Sequence, residues 1–223
     1  MGYLRYLGHS AFELEVSGKK ILIDPWIENP QSPTKVDEFQ NIDYILVTHD
    51  HGDHLGNAFD IAKKTGATIV AIFEIAQYAN EQGVEKAIGA NIGGPVKLDD
   101  NLTVVFTPAF HSSGRGAPTG VVVIGEEGSI YHAGDTGVFK DMELISELYT
   151  PKVALLPIGG HFVMGPKEAA KAVELLKPEI AIPMHYGTFP VLWGTPDEFK
   201  KHVEAKGLPT KIVVLNPGEK MDL

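Results

Sequence analysis

The stretch Val47-Thr-His-Asp-His-Gly-Asp-His-Leu55 restricts the possible folds of this chain more than any other segment. It places three imidazoles and two carboxylates within six residues, directly after an apolar run. His49 and His51 are two positions apart, and an extended or tightly looped backbone turns alternate side chains the same way, so both can reach one cation. Asp53 and His54 are adjacent and suit a second cation. The i, i+4 histidine spacing of a helical zinc motif is absent.

Neutral imidazole nitrogen and carboxylate oxygen are ligands of zinc, manganese, iron or nickel at hydrolytic centres. The alternative is a solvated histidine-rich loop that binds no metal. Histidine-rich tracts usually belong to a biased composition, and the residues on either side of this stretch show no such bias. The stretch therefore predicts a metal site on a turn between a strand and a helix.

Thr48 to His54 matches T-H-x-H-x-D-H at every specified position, and the chain thereby resembles the metallo-β-lactamase superfamily. The motif is highly specific, but it defines a superfamily of many reactions rather than one substrate. Further segments resemble a branch of uncharacterised metal-dependent hydrolases near the ascorbate-6-phosphate lactonase-like proteins: Leu7-Gly-His-Ser10, Leu22-Ile-Asp-Pro-Trp26, Tyr131-His-Ala-Gly-Asp-Thr-Gly137 and Pro157-Ile-Gly-Gly-His-Phe-Val-Met-Gly165. That branch supplies no settled substrate. The resemblance implies an α/β fold, the four-layer αββα sandwich.

Length and charge limit the other possibilities. The chain has 223 residues, and we expect residues 1–223 to form one domain because mixed α/β domains often reach this size. The formal charge of −10 disfavours binding to nucleic acid or to an anionic membrane. The chain has no cysteine, which excludes disulfides and thiolate ligands. No signal peptide or membrane span is recognisable, so we expect a cytoplasmic protein.

Short apolar runs bounded by turn residues predict strands, and the first three form an antiparallel meander. Two halves, each with strands first and helices after, fit two packed sheets with helices outside. The last predicted strand is 211–215. Helices are predicted at 55–64, 74–82, 142–149, 167–177 and from the capping box at Thr195 to near Gly207.

The remaining metal ligands come from the resemblance and lie just after predicted strands. His111 would complete a first metal site with His49 and His51. Asp135, in the Gly-Asp-Thr context, would bridge the two metals. His185 would join Asp53 and His54 on the second metal. A lone histidine after a strand is usually an ordinary polar residue, so the joint occurrence carries the assignment.

Three further residues are candidates for orienting these ligands. In the resembling superfamily an aspartate at the position of Asp24 orients the histidine-rich loop, although an ordinary turn aspartate before proline is the alternative. His9 lies in a turn, where it either forms hydrogen bonds within that turn or faces the metal loop. His132 shares a strand with the approach to Asp135, and either supports the ligands or packs within the strand.

Two residues are candidates for contact with the substrate. His161 lies in a glycine-flanked loop and would donate a proton to the leaving group or bind substrate; the alternative is a mobile surface histidine. Arg115 lies in a glycine-rich segment directly after His111, and its guanidinium suits a phosphate or carboxylate. The alternative is that this segment is only a flexible connection.

The predicted function is that of an enzyme, a metal-dependent hydrolase acting on a small-molecule ester, lactone or phosphodiester. A hydroxide bridging two divalent transition-metal ions would attack the substrate, with Asp53 orienting it. Zinc is the expected metal, and manganese, nickel and iron stay open. The alternatives are a mononuclear iron redox enzyme of the same fold, resembling sulfur dioxygenases, and an RNA-processing nuclease. The expected partner is a small-molecule substrate, which would be anionic if Arg115 binds it. A homo-oligomer is compatible with the sequence.

Overall fold

A computed structural model describes residues 2–223. Its strands form two sheets of seven strands each. In spatial order, the first sheet contains β14 (Lys220–Asp222), β1 (Tyr3–Tyr6), β2 (Phe12–Val16), β3 (Lys19–Ile23), β4 (Tyr44–Val47), β5 (Thr68–Ile72) and β6 (Ala87–Ala90). The second contains β13 (Lys211–Ile212), β12 (Ile180–Met184), β11 (Val153–Pro157), β10 (Gly128–His132), β9 (Thr119–Gly125), β8 (Leu102–Pro108) and β7 (Pro95–Asp99).

Helices cover the outer faces of both sheets. They are α1 (Gly52–Leu55), α2 (Ala58–Thr65), α3 (Phe73–Glu81), α4 (Met142–Tyr149), α5 (Pro166–Leu176) and α6 (Pro196–Ala205), with a short 3₁₀ turn at Val36–Glu38. Thr195 caps the start of α6, because its Oγ1 accepts a hydrogen bond from the Glu198 amide. Among residues 2–223 no helix is long and apolar enough to cross a membrane.

Alternation along the strands separates the core into layers. In β4, Leu46 faces the opposite sheet, whereas Ile45 and Val47 pack beneath α2 and α3. In the second sheet, Val121 and Val123 of β9 face the first sheet, and other strand residues pack beneath α4, α5 and α6. The central strands are buried on both faces and therefore read as continuous apolar runs. The predicted αββα sandwich is confirmed.

Strand direction explains where the polar loops gather. Strand β1 is antiparallel to β2, β2 is antiparallel to β3, and β3 is parallel to β4, so β1, β3 and β4 all run the same way. In the second sheet the same reasoning aligns β8, β10, β11 and β12. The carboxyl ends of these strands in the two sheets lie next to each other. A hydrogen bond of 2.8 Å from the His185 amide to the His9 carbonyl oxygen joins them.

Two predicted elements are wrong in detail. The helix expected at 55–64 begins later, at Ala58 of α2, and the turn expected before it contains the short helix α1. Gly56, with φ of 40°, separates the two helices and lies close to the backbone of Trp26. The strand expected at 211–215 ends at Ile212, and it is followed by β14, which pairs with β1. A three-residue edge strand has too few side chains to show a period in sequence.

Candidate metal centre

Six loops at the carboxyl ends of same-directed strands carry the predicted metal ligands together with His9 and Asp24. In the first sheet, His9 follows β1, Asp24 follows β3, and His49 follows β4. In the second sheet, His111 follows β8, Asp135 follows β10, and His185 follows β12. His51 lies on the loop after β4, and Asp53 and His54 lie in α1. The short helix therefore presents two more candidate ligands toward the junction of the sheets.

Three imidazoles form the first group of candidate ligands. His51 Nδ1 lies 3.0 Å from His49 Nε2 and 3.3 Å from His111 Nε2. Ligand nitrogens around a tetrahedral zinc ion are about 3.3 Å apart, given Zn–N distances of roughly 2.0–2.1 Å. The spacing of the three nitrogens therefore suits a shared cation.

Asp135 lies between this group and a second one. Its Oδ2 is 3.4 Å from His111 Nε2 and 3.1 Å from His185 Nε2, and its Oδ1 is 3.1 Å from His54 Nε2. Asp53 Oδ2 lies 3.7 Å from His185 Nε2 and 3.9 Å from His54 Nε2. The carboxylate of Asp135 thus contacts residues of both groups, which is the position that a bridging ligand requires.

Several of these atoms are buried without a hydrogen-bond partner among the described residues. They are His54 Nε2, Asp135 Oδ1 and both ring nitrogens of His185. Leaving such atoms unpaired costs about 1–3 kcal/mol each. The Nε2 atoms of His54 and His185 each lie 3.1 Å from an oxygen of Asp135. The donor set and its unpaired atoms together fit a bound metal.

The electrostatics of the cluster favour positive charge at its centre. Burial alone would lower the pKa of His54 and of His185, but the carboxylate of Asp135 raises the pKa of His54 well above its ordinary value and that of His185 to about 9. Burial lowers the pKa of His49 to about 3, which keeps this imidazole neutral. Burial would also raise the pKa of Asp135, but His54 and His185 hold it well below its usual range. The cluster is therefore able to bind a cation.

Asp24 is fully buried and sets the orientation of two histidines. Its Oδ1 accepts a hydrogen bond of 2.8 Å from the Thr48 amide, and its Oδ2 accepts bonds of 2.6 Å from Thr48 Oγ1 and 2.7 Å from His54 Nδ1. Because Thr48 Oγ1 donates to Asp24, it accepts from His49 Nδ1, 3.1 Å away. With a cation at the centre, both imidazoles would keep their proton on Nδ1 and present the Nε2 lone pair to that cation.

His9 faces the metal loop rather than forming hydrogen bonds only within its turn. Its Nε2 donates to Asp53 Oδ2 at 3.0 Å, and its Nδ1 accepts from Thr188 Oγ1 at 2.6 Å. Burial lowers the pKa of His9 to about 4, so the imidazole is neutral and its proton is directed at Asp53. His9, Asp24 and His185 all have positive φ (53°, 45° and 56°), a strained backbone that concentrates at functional sites.

His132 is buried in β10 and contacts neighbouring loops instead of the cluster atoms. Its Nδ1 accepts a hydrogen bond of 3.1 Å from the Gly134 amide, so its Nε2 donates to the Ser10 carbonyl oxygen at 2.9 Å. Ser10 follows His9, and Gly134 precedes Asp135. His132 therefore joins the loop of His9 to the loop of Asp135.

Arg115 does not contact the cluster residues. Its guanidinium donates to Asp50 Oδ2 at 3.0 Å and lies 3.7 Å above the centre of the Tyr78 ring. Asp50 Oδ1 also accepts bonds from Ser113 Oγ (3.0 Å) and the Gly114 amide (2.6 Å). Asp50 lies between His49 and His51, so these bonds fasten the segment after His111 to the histidine-rich loop. The composition did not reveal this role of Asp50.

A cleft of about 550 Å³ opens onto the cluster, and sequence reasoning missed its aromatic wall. Trp26, Phe162 and Phe189 line it together with His51, Gly52, Asp53, His111, Ser112, Asp135 and His185. His161 lies outside these lining residues: its imidazole is exposed and meets the Phe162 ring edge-on at 4.5 Å. Its role as a proton donor stays a prediction. The aromatic residues are far apart in sequence and follow no period, so no local signal relates them.

Comparison with known proteins shows which family this chain belongs to. Residues 19–186 match the model of the beta-lactamase superfamily domain, which includes every candidate ligand from His49 to His185. The chain belongs to the metallo-β-lactamase superfamily. This confirms the resemblance inferred from Thr48 to His54.

The more similar relatives within this superfamily are metal-dependent hydrolases. A UPF0173 metal-dependent hydrolase of Staphylothermus marinus is 62% identical, and the match covers 98% of each chain. One of Thermofilum pendens is 58% identical with the same coverage. The structure of Igni18, a metallo hydrolase from the hyperthermophilic archaeon Ignicoccus hospitalis, matches with a TM-score of 0.94 and 48% identity, over 100% of this chain and 98% of that one. The protein is therefore an enzyme, a metal-dependent hydrolase of this superfamily.

Proposed function

We propose that the cluster holds two divalent transition-metal ions and hydrolyses a small uncharged or singly charged ester, lactone or phosphodiester. One ion would be bound by His49, His51 and His111, and the other by Asp53, His54 and His185. Asp135 would be shared between them. The observation that carries the proposal is the position of Asp135, whose oxygens lie 3.1–3.4 Å from ligand nitrogens of both groups. A single-metal iron redox site would need only one of the groups.

Zinc is the metal we propose, because imidazole and carboxylate donors in a buried site suit it; manganese, nickel and iron accept the same donors. Two such ions, when bound, supply a nucleophilic hydroxide at neutral pH and polarise the oxygen of the scissile group. The remaining chemistry belongs to the side chains of this chain, which orient the reactants and hold the protons.

Asp53 is the residue that we propose to position the attacking water. Its side chain is 20% exposed and lines the cleft, so its carboxylate can accept a hydrogen bond from a water molecule in the cleft. The proton on His9 Nε2 already occupies one side of this carboxylate. His9 thereby restricts the direction in which Asp53 can accept a second hydrogen bond, and the water is held facing the cluster.

Asp24 and His132 act on the site through other residues. Asp24 holds the protons of His54 and Thr48 away from the centre, as its hydrogen bonds require. His132 forms hydrogen bonds with both the loop of His9 and the loop of Asp135 and so holds them in fixed positions relative to each other. Neither side chain lines the cleft, so we propose that they position the ligands without touching substrate.

A substrate panel with reconstituted metals tests the proposal. The purified protein is depleted of metal, loaded with zinc, manganese, nickel or iron, and assayed on one ester, one lactone, one phosphodiester and one amide. We expect metal-dependent turnover of at least one of the first three. Turnover that survives complete metal removal would exclude the mechanism.

Matched variants separate the cluster from the rest of the chain. Asp135→Asn and His51→Ala should each abolish turnover, whereas His202→Ala, at an exposed histidine in α6, should leave it unchanged. His161→Gln tests the proton donor: a larger loss on substrates with basic leaving groups than on those with acidic ones supports that role. Equal activity of wild type and Asp135→Asn would overturn the ligand assignment.

A further inference from the structure

The wall of the cleft beside the cluster is aromatic. The rings of Trp26 and Phe189 are stacked, with centres 5.7 Å apart and planes inclined by 19°. Both meet the His9 ring edge-on, at 5.1 Å and 5.4 Å. His9 donates to Asp53, so this pair of rings lies one residue away from a candidate ligand and lines the same cleft. Phe162 lines another part of the same cleft and is 54% exposed.

Apart from the candidate ligand histidines, the described residues that line the cleft offer an anion no cationic side chain. Within residues 2–223, no lysine or arginine lines it, and the sole hydroxyl in its lining belongs to Ser112. Arg115, the residue that the sequence suggested for an anionic substrate, is bound to Asp50 and stacked on Tyr78. A phosphate or carboxylate remote from the scissile bond would therefore lose its water without gaining a charged partner.

We infer that the substrate carries an uncharged aromatic or aliphatic group beside its scissile bond, and that the wall of Trp26, Phe162 and Phe189 binds this group. The inference rests on the proposed hydrolytic function, to which it adds a substrate class. A volume of about 550 Å³ lies within the range of clefts that take small molecules. The cluster binds the reacting group, and the stacked rings bind the apolar group at its side.

Two of the three wall residues, Trp26 and Phe189, are half-buried and held by their neighbours. Trp26 is fixed by the close approach of Gly56 to its backbone, since a Cβ at Gly56 would lie 2.5 Å from Trp26 Cα. Phe189 is held against Trp26 and His9. The part of the wall formed by Trp26 and Phe189 is therefore preformed, and binding there costs little additional ordering of the protein.

Three hydroxamates that share a metal-binding head test the inference by calorimetry on the metal-loaded protein. Benzohydroxamate has an uncharged aromatic tail, acetohydroxamate has almost no tail, and 4-carboxybenzohydroxamate has a charged one. We expect benzohydroxamate to bind about tenfold more tightly than either of the others, a factor in keeping with one aromatic contact and the apolar area that it buries. Equal or tighter binding of the carboxylate would overturn the inference.

Variants in the wall provide the internal controls. Phe189→Leu should weaken benzohydroxamate about tenfold and leave acetohydroxamate unchanged, while Phe73→Leu, an exposed aromatic of α3 outside the cleft, should change neither. Phe162→Arg, at an exposed position that should tolerate the change, should favour the carboxylate. A preference that survives both wall variants would also refute the role of these rings.

Binding and turnover separate the two proposals. Selective binding of benzohydroxamate without hydrolysis of any substrate would support the substrate class and refute the proposed chemistry. Hydrolysis accompanied by preferential binding of the carboxylate would support the chemistry and refute the substrate class. Failure of benzohydroxamate to bind the metal-loaded protein would refute the inference.

Discussion

Replacing Asp24 with asparagine tests how the protein prepares its histidines for metal. The backbone should accept the change, because Asp24 has φ of 45° and asparagine is among the residues that tolerate this region. The amide oxygen can still accept from the Thr48 amide. The amide nitrogen then replaces Oδ2, which accepts from both Thr48 Oγ1 and His54 Nδ1 in the native protein.

An amide nitrogen donates hydrogen bonds and cannot accept them. His54 must therefore accept at Nδ1 and carry its proton on Nε2, the nitrogen that faces Asp135 at 3.1 Å. This tautomer has no lone pair for a metal at that position. Loss of such an orienting carboxylate typically costs about 10–100-fold in metal affinity or activity, and we expect the upper part of that range. Losing charge-assisted bonds in a buried site should also lower the free energy of unfolding by about 2 kcal/mol.

Competition with a fluorescent chelator measures the metal affinity, and thermal unfolding of the metal-free protein measures the stability. Asp99→Asn is the control, because Asp99 forms an exposed ion pair with Lys19 at 3.0 Å and such pairs contribute little. The reasoning is refuted if Asp24→Asn binds metal within twofold of the wild type, or if its thermal stability falls while its metal affinity does not.

Other regions of the chain give further predictions. Asp50→Ala should speed amide hydrogen exchange in residues 112–116 and lower activity while metal content stays unchanged; a loss of metal would instead show that Asp50 is needed for binding. Gly134→Ala should lower the free energy of unfolding by about 2–4 kcal/mol, since φ is +62° and a Cβ would overlap the Thr119 carbonyl oxygen, whereas Gly66→Ala, at a similar φ in open space, should cost about 1 kcal/mol by urea unfolding. Equal costs would contradict the overlap. Chelation of metal should lower the melting temperature by several degrees, because the cation binds only the folded cluster; an unchanged melting temperature would show that nothing is bound there.

Sequence predicted the architecture where local patterns determine it. Apolar runs marked the strands, whereas the resemblance supplied His111, Asp135 and His185, which the structure brings beside the histidine-rich loop at the ends of strands that run in one direction. Helical periodicity failed at Gly56 because the apolar spacing continues through the break. At the break Gly56 lies against the backbone of Trp26, a contact between distant parts of the chain that periodicity does not predict.

The partners of individual side chains were beyond what the sequence could tell. The glycine-rich segment suggested that Arg115 was free to bind substrate. Its guanidinium instead forms an ion pair with Asp50, which lies in the loop after β4 of the other sheet. Thr188 orients His9 across a separation of 179 positions. Such pairs arise from the docking of two sheets, so they follow from the tertiary fold and not from any motif.

The number of metal ions bound per chain tests the central claim most directly. Elemental analysis of protein reconstituted with zinc and freed of excess metal should give two ions per chain for the wild type and fewer for Asp135→Asn. A wild-type value of zero would contradict the metal centre, and a value of one that Asp135→Asn leaves unchanged would contradict the bridging position of Asp135.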